Sequence, residues 1–233
     1  MRNTTSGEYS TPCASVSTRT CWGDGRRRAP LDVGVERVSL LGILVSVRAI
    51  LNDGEHERRV SAGLGAVTDP ALLERLMDLP LAIPVADAVA WAETSDQPPA
   101  VVDRGGDGVT VTRTLQPPLT ISDVVLTATG GRELAAVQEA SLFAGFTRRW
   151  IVFTRGSVPD EVVLEAKLCG VGVVDLHGTV LLAGQRPAST TIDGWTWLLQ
   201  EKTYRRWLSE RSRGRGPGTP APATGKATAG RGC

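Results

Sequence analysis

A chain of 233 residues with 41% hydrophobic and 22% charged content can bury a sizeable core, in one large or two small domains, and has the composition of a soluble globular protein. Its formal net charge of +1 is unevenly spread: residues 1–30 hold five Arg against Glu8 and Asp24, residues 205–233 hold six Arg and Lys226 against Glu210, and the stretch between carries −8. An acidic body with basic ends excludes a domain that coats nucleic acid over its whole surface, and the most apolar run, Val38 to Val47, is about half the length a bilayer needs and runs into Arg48.

Met1 to Pro30 is rich in Ser, Thr, Gly and Arg and lacks periodicity, so it reads as a disordered basic lead or as residues upstream of the true start. It has no apolar core of a secretory signal, which points to a cytoplasmic protein. Cys13, Cys21, Cys169 and Cys233 have no zinc spacing and lie far from His56 and His177, so free thiols are expected. Lysine is confined to Lys167, Lys202 and Lys226, the Arg-dominated bias of a GC-rich bacterial gene.

From Val35 to Leu51, the spacing of Val38, Leu41, Leu44, Val45 and Ile50 predicts a helix, with the β-branched content leaving a strand open. Asn52 to Arg59 follows as a polar break in which His56 is a solvated side chain. Asp69 before Pro70 caps a short helix with Leu72, Leu73, Leu76 and Leu79 on one face, and Pro84 opens a second over Val85, Val89, Trp91 and Ala92. Ser95 to Pro99 is linker-like. Arg104 to Gly108 reads RGGDG, a hairpin turn into the alternating run Val109 to Leu115.

The chain is organised around Leu119 to Asp175. Val124 to Leu126, Trp150 to Phe153 and Val171 to Val174 are short β-rich runs, while Leu134, Val137, Leu142 and Phe146 recur at helical spacing. These alternations predict an α/β fold whose central mixed sheet has a parallel βαβαβ core over about residues 119–176. A helical N-terminal part precedes it, and a C-terminal helix from Ile192 to Ser212 carries Trp195, Leu198, Leu199, Trp207 and Leu208. His177 and Gly178 turn the chain into a further strand, TVLLAG. The expected divisions are a basic lead (1–30), a mainly helical region (31–95), an α/β core with its closing helix (96–212) and a disordered basic tail (213–233).

Ligands dock outside the carboxyl ends of parallel strands. Three turns gather there: Thr129, Gly130, Gly131 and Arg132; Thr154, Arg155, Gly156 and Ser157; and Asp175 with His177 and Gly178. The first two lead into helix starts, where free N–H groups and the dipole favour an anion and the two arginines add charge. The competing reading is that Gly and Thr are plain turn and cap residues. Neither turn has the spacing of a dinucleotide fingerprint or a phosphate loop, so no cofactor is expected. No metal site is expected either. Asp175 and His177 lack a nucleophile and read as a turn cap beside a polar neighbour. Pro159, Asp160, Glu165 and Lys167 fall within one helix, capped by Ser157 and ended by Gly170, so they cannot form a metal-holding carboxylate pair.

The order of helix, WIVFTRG strand, helix, GVGVVDL strand and closing hairpin strand, over about Asp123 to Pro187, resembles the C-terminal half of the restriction-endonuclease-like superfamily. There the strand before the first helix carries Glu-x-Lys; here it reads VVLTAT, and only Asp123 matches a family carboxylate. The resemblance implies a DNA-associated ancestry with lost cleavage. The expected function is a non-catalytic module that binds nucleic acid or a protein partner, tied to defence or mobile elements. The alternative is an enzyme that uses the strand-end crevice for a phosphorylated ligand.

Overall fold

The computed structural model describes residues 32–86, 98–105, 110–187 and 192–214. It opens with a strand pair, β1 (Asp32–Leu40) and β2 (Ile43–Leu51), where the spacing suggested a helix. Val45, Val47, Ala49 and Leu51 are buried with a period of two, the pattern of a strand packed on one face. In β1 the register slips between Val35 and Val38. That bulge leaves the buried Val35 and Val38 three positions apart and so imitates helical spacing. Leu41 and Gly42 turn the pair, with φ of 52° and 80°, the left-handed region that a two-residue hairpin requires.

The expected polar break is instead helix α1 (Asp53–Ser61), capped by Asn52, whose side chain accepts from the Glu55 N–H. Its buried residues are Glu55 and Arg59, so it offers no apolar periodicity to detect. Helix α2 (Pro70–Met77) forms as its start signal indicates: Asp69 Oδ1 accepts from Ala71 and Leu72, and Leu72, Leu73 and Leu76 are buried. The segment after Pro84 begins as strand β3 (Val85–Ala86) and not as a helix; the rest of that expected helix lies outside the described residues. Strands β4 (Val102–Arg104) and β5 (Thr110–Arg113) pair antiparallel as the RGGDG turn implies, and β3 joins them in a three-stranded sheet ordered β3-β5-β4.

The organising unit follows as β6 (Leu119–Ala128), α3 (Glu133–Ser141), β7 (Arg148–Phe153), α4 (Asp160–Cys169), β8 (Gly172–Val174) and β9 (Val180–Leu182). β6, β7 and β8 are adjacent and parallel, and β9 returns antiparallel to β8. The larger sheet runs β1-β2-β6-β7-β8-β9, so the N-terminal strand pair belongs to the same mixed sheet as the parallel unit. The last helix, α5 (Gly194–Gly214), includes Arg213 and Gly214, two residues past the expected helix end. The basic ends at 1–31 and 215–233 lie outside the described residues, and no helix among the described residues is long and apolar enough to cross a membrane.

Cross-strand register sets which residues share a face. Val35, Val47, Val124 and Arg149 align across β1, β2, β6 and β7. This face meets Val137 of α3, Val162 of α4 and Leu199, Tyr204 and Trp207 of α5 in one core. The opposite face carries Arg48, Asp123 and Arg148 in one row and Val125 beside Trp150 in another. A second, smaller core gathers Leu72, Leu73 and Leu76 of α2 with Val102, Val111 and Leu115 around the small sheet, and it takes Trp197 and Leu198 from α5. A single helix therefore contributes to both cores.

Where the cores meet, Arg59 is fully buried between Glu55 and Glu201. Its Nε donates to Glu55 Oε1 (2.7 Å). Nη1 donates to Glu201 Oε2 (2.8 Å) and the Gly65 carbonyl (3.3 Å), and Nη2 to Glu201 Oε1 (2.6 Å) and the Gln116 carbonyl (2.7 Å). All five guanidinium N–H groups thus have acceptors. Glu201 also accepts from Val67 N–H and the Trp197 indole, and Glu55 from Arg58. Burial alone would weaken the Arg59 charge, but the bonds and charge of Glu201 and Glu55 outweigh it and hold the guanidinium more firmly protonated than usual.

Removing Arg59 would strand two buried carboxylates, so Arg59→Ala is expected to cost about 3 to 5 kcal/mol of unfolding free energy in urea titrations. Arg132→Ala breaks only a pair whose side chains are 72% and 37% exposed, and is expected to cost under about 1 kcal/mol.

Candidate functional site at the strand ends

The three parallel strands end together, with Ala128 of β6 in register with Phe153 of β7. Thr129, Gly130, Gly131 and Arg132 follow the first; Thr154, Arg155, Gly156 and Ser157 follow the second; all eight are exposed. Gly131 (φ 84°) and Gly156 (φ 71°) sit in the left-handed region, which explains glycine at both turns. The topology therefore brings the expected anion-binding residues to one edge.

Their charges and donors are partly engaged there. The Gly131 N–H donates to Glu133 Oε1 (3.0 Å), and the Arg132 guanidinium reaches Glu139 on the same helix (3.1 Å). The first turns of α3 and α4 carry Glu133, Asp160 and Glu161, carboxylates that already answer the helix dipoles. Ser157 does not cap α4: its N-cap is Pro159, with no side-chain bond to the first turn. Gly170 ends that helix in the left-handed conformation, as its sequence position suggests (φ 67°). An anion at this edge would face three carboxylates as well as Arg132 and Arg155.

Asp175 is a turn cap. Its Oδ1 accepts from the backbone N–H groups of His177 (2.8 Å) and Thr179 (2.7 Å). The Thr179 bond, then that of His177, holds its carboxyl below the ordinary aspartate range. The bond from residue 177 comes from the main chain and not from the imidazole, so the two residues form no acid–base dyad.

Asp123 lies mid-strand on the opposite sheet face, away from the strand ends, and is buried. It accepts from the Arg148 guanidinium and from the Trp150 indole (2.9 Å), and Arg148 lies over the Trp150 ring at 5.3 Å. Burial would raise its pKa, but the bonds from Arg148 and Trp150 and the Arg148 charge prevail and lower it. The one carboxylate that matches the endonuclease-like pattern is thus committed to side chains of its own sheet. Among the described residues, no group of three or more His, Cys, Asp or Glu could hold a metal ion.

Sequence reasoning missed two groups. His56, expected to be a solvated side chain, is half-buried: its Nδ1 lies 2.8 Å from the Tyr204 hydroxyl and its ring meets Tyr204 and Trp207 edge-on. Burial, then the Arg211 charge, lowers its pKa. The other group is the basic end of α5, where Lys202, Arg205, Arg206, Arg211 and Arg213 stand against Glu210 alone. Arg205, Arg211 and Arg213 are exposed, and Arg211 stacks over Trp207 at 4.7 Å. This charge density was visible in the sequence but was divided between the closing helix and the tail.

No protein family, curated protein or solved structure matches the chain.

Magnesium or manganese is expected to produce no nicking of supercoiled plasmid by the purified protein; cleavage abolished by Asp123→Ala would contradict this. The Asp123 bonds also set a pH dependence. Its folded pKa lies below the unfolded value near 4, so its contribution to stability is complete above about pH 4 and disappears as pH falls through the folded value. Acid unfolding of Asp123→Asn compared with the parent is expected to show a smaller loss across that window.

Proposed function

We propose that the chain is a non-catalytic binding module that engages nucleic acid through the basic end of α5. The observation that carries this reading is the contrast between two charged regions. At the strand ends, Arg132 is paired with Glu139 and the helix starts carry acids, whereas residues 202–214 hold five cations and one acid with three arginines exposed. Phosphate backbones are bound by such clusters through charge and counterion release. Arg211 lies over the Trp207 ring at 4.7 Å, a contact that leaves the guanidinium exposed at the helix end. The helix C-terminus itself favours cations, so the fold stabilises this cluster instead of resisting it.

The β6–α3–β7–α4–β8–β9 order carries the resemblance to restriction-endonuclease-like proteins, and the engaged Asp123 accords with binding without cleavage. A role in defence or mobile-element biology belongs to the same proposal. A second reading, an anion-binding enzyme at the strand ends, draws on the shared edge of the turns and on the exposed Arg155.

Fluorescence anisotropy with a labelled DNA duplex, titrated over a series of salt concentrations, tests the proposal. Arg205→Ser, Arg211→Ser and Arg213→Ser combined are expected to weaken binding and to reduce the slope of log K against log salt by about 2 to 3, near one unit per lost phosphate contact. Arg155→Ala is expected to leave both unchanged. If Arg155→Ala removes binding and the triple variant does not, the strand-end reading replaces this one. If the parent protein shows no binding at low salt, the module serves a protein partner instead.

A further inference from the structure

Among the described residues, Arg37, Leu41 and Ala82 are the non-glycine positions with positive φ. Leu41 serves the tight turn between β1 and β2, whereas Arg37 (φ 55°) sits inside a strand, at the β1 bulge. Val35 pairs with Val47 and Val38 with Val45, so Glu36 and Arg37 stand opposite Ser46 alone, the two-against-one count of a bulge. A left-handed bulge position is the ordinary place for glycine, and another side chain there strains the backbone. Packing does not explain the arginine. Arg37 is exposed, and among the described residues no ion pair holds its guanidinium.

The bulge lies against α5. Val35 and Val38, on either side of it, are buried in the core that takes Tyr204 and Trp207 from that helix, and the Glu36 carbonyl accepts from Arg206 Nε (3.2 Å). Arg37 is thereby set beside the stretch of α5 that carries Arg205, Arg206, Arg211 and Arg213. The acids there are Glu36 and Glu210, and Glu210 is already paired with Arg206 (2.9 Å). We infer that Arg37 is a phosphate-contacting residue, presented by the bulge so that β1 and the end of α5 hold one nucleic-acid backbone between them. This rests on the nucleic-acid reading of α5 and extends it to a second element of the fold. Bulges re-aim a side chain out of the alternation of its strand, and strained backbone gathers at positions that clamp ligands. The guanidinium delivered there donates to phosphate oxygens with full charge.

Anisotropy titrations of the full chain with a labelled DNA duplex over a salt series, joined to thermal unfolding, test it. Arg37→Gly is expected to weaken binding about fivefold to tenfold near 0.1 M salt and to lower the slope of log K against log salt by about 1. Its thermal midpoint is expected to be no lower than the parent's, because glycine adopts this φ without strain. A merely structural arginine would move the midpoint and leave the slope. Arg37→Lys, which keeps the charge, is expected to keep the slope; Lys167→Ser, on α4 across β2, β6 and β7 from the bulge, is expected to keep it too. Should Arg37→Gly fail to fold, Arg37→Asn, a residue that tolerates the left-handed region, takes its place. If the triple α5 variant loses slope and Arg37→Gly does not, or if Lys167→Ser loses as much, the inference is overturned and the α5 reading stands. If the parent does not bind the duplex, or the triple variant binds as the parent does, the α5 reading fails and this inference with it.

Discussion

One arginine is the constraint on which the arrangement depends. Arg59 reaches from α1 to Glu201 on α5 and to the main-chain carbonyls of Gly65, just past α1, and of Gln116, so three distant stretches of chain meet at its guanidinium. Burying three charges is costly, and replacement of such a cluster by apolar residues is often neutral or stabilising. Its value lies in position. The two bonds from the Arg59 guanidinium to Glu201 tie α5 in the placement that sends Trp197 and Leu198 into the smaller core and Leu199, Tyr204 and Trp207 into the larger. His56, edge-on to Tyr204 and Trp207, extends the same contact toward the basic end of the helix.

The parallel unit was legible because its strands alternate with helices in continuous, strongly apolar segments. Val124, Ile151 and Val173 sit in runs buried on the sheet, and short β-branched runs flanked by Gly signal that state directly. The Asp69–Pro70 helix start and the antiparallel pairing of β4 with β5 were legible for a different reason, since cap and turn chemistry is local. The N-terminal hairpin was not, because its bulge changes the phase of the alternation, and its Leu-Gly turn lacks the usual Asn-Gly or Asp-Gly signal. Helix α1 was hidden more deeply. It packs through Glu55 and Arg59, and no apolar pattern reports a helix whose buried face is an ion pair to a residue 142 positions away.

The strand-end residues illustrate what a sequence can place and what it cannot. Topology alone brings Thr129, Arg132, Thr154 and Arg155 to one edge. Whether that edge is a ligand site depends on partners such as Glu139 for Arg132 and Glu133 for the Gly131 N–H, which only coordinates reveal. The same holds for Asp123, whose environment of Arg148 and Trp150 follows from strand register and not from any motif. The basic end of α5 is the reverse case: its composition was plain, and the helix supplied the order that turns scattered arginines into a surface.

The central claim is that the Arg59 cluster joins two cores into one cooperative unit through α5. Native-state hydrogen exchange tests this most directly, because it resolves the opening of each segment. Amides of α2 and β5, in the smaller core, are expected to exchange with the same opening free energy as those of β6 and β7. In Arg59→Ala the two sets are expected to separate, with the smaller core opening first. Separate opening of the smaller core in the parent protein, with Arg59→Ala leaving the difference unchanged, would contradict the account.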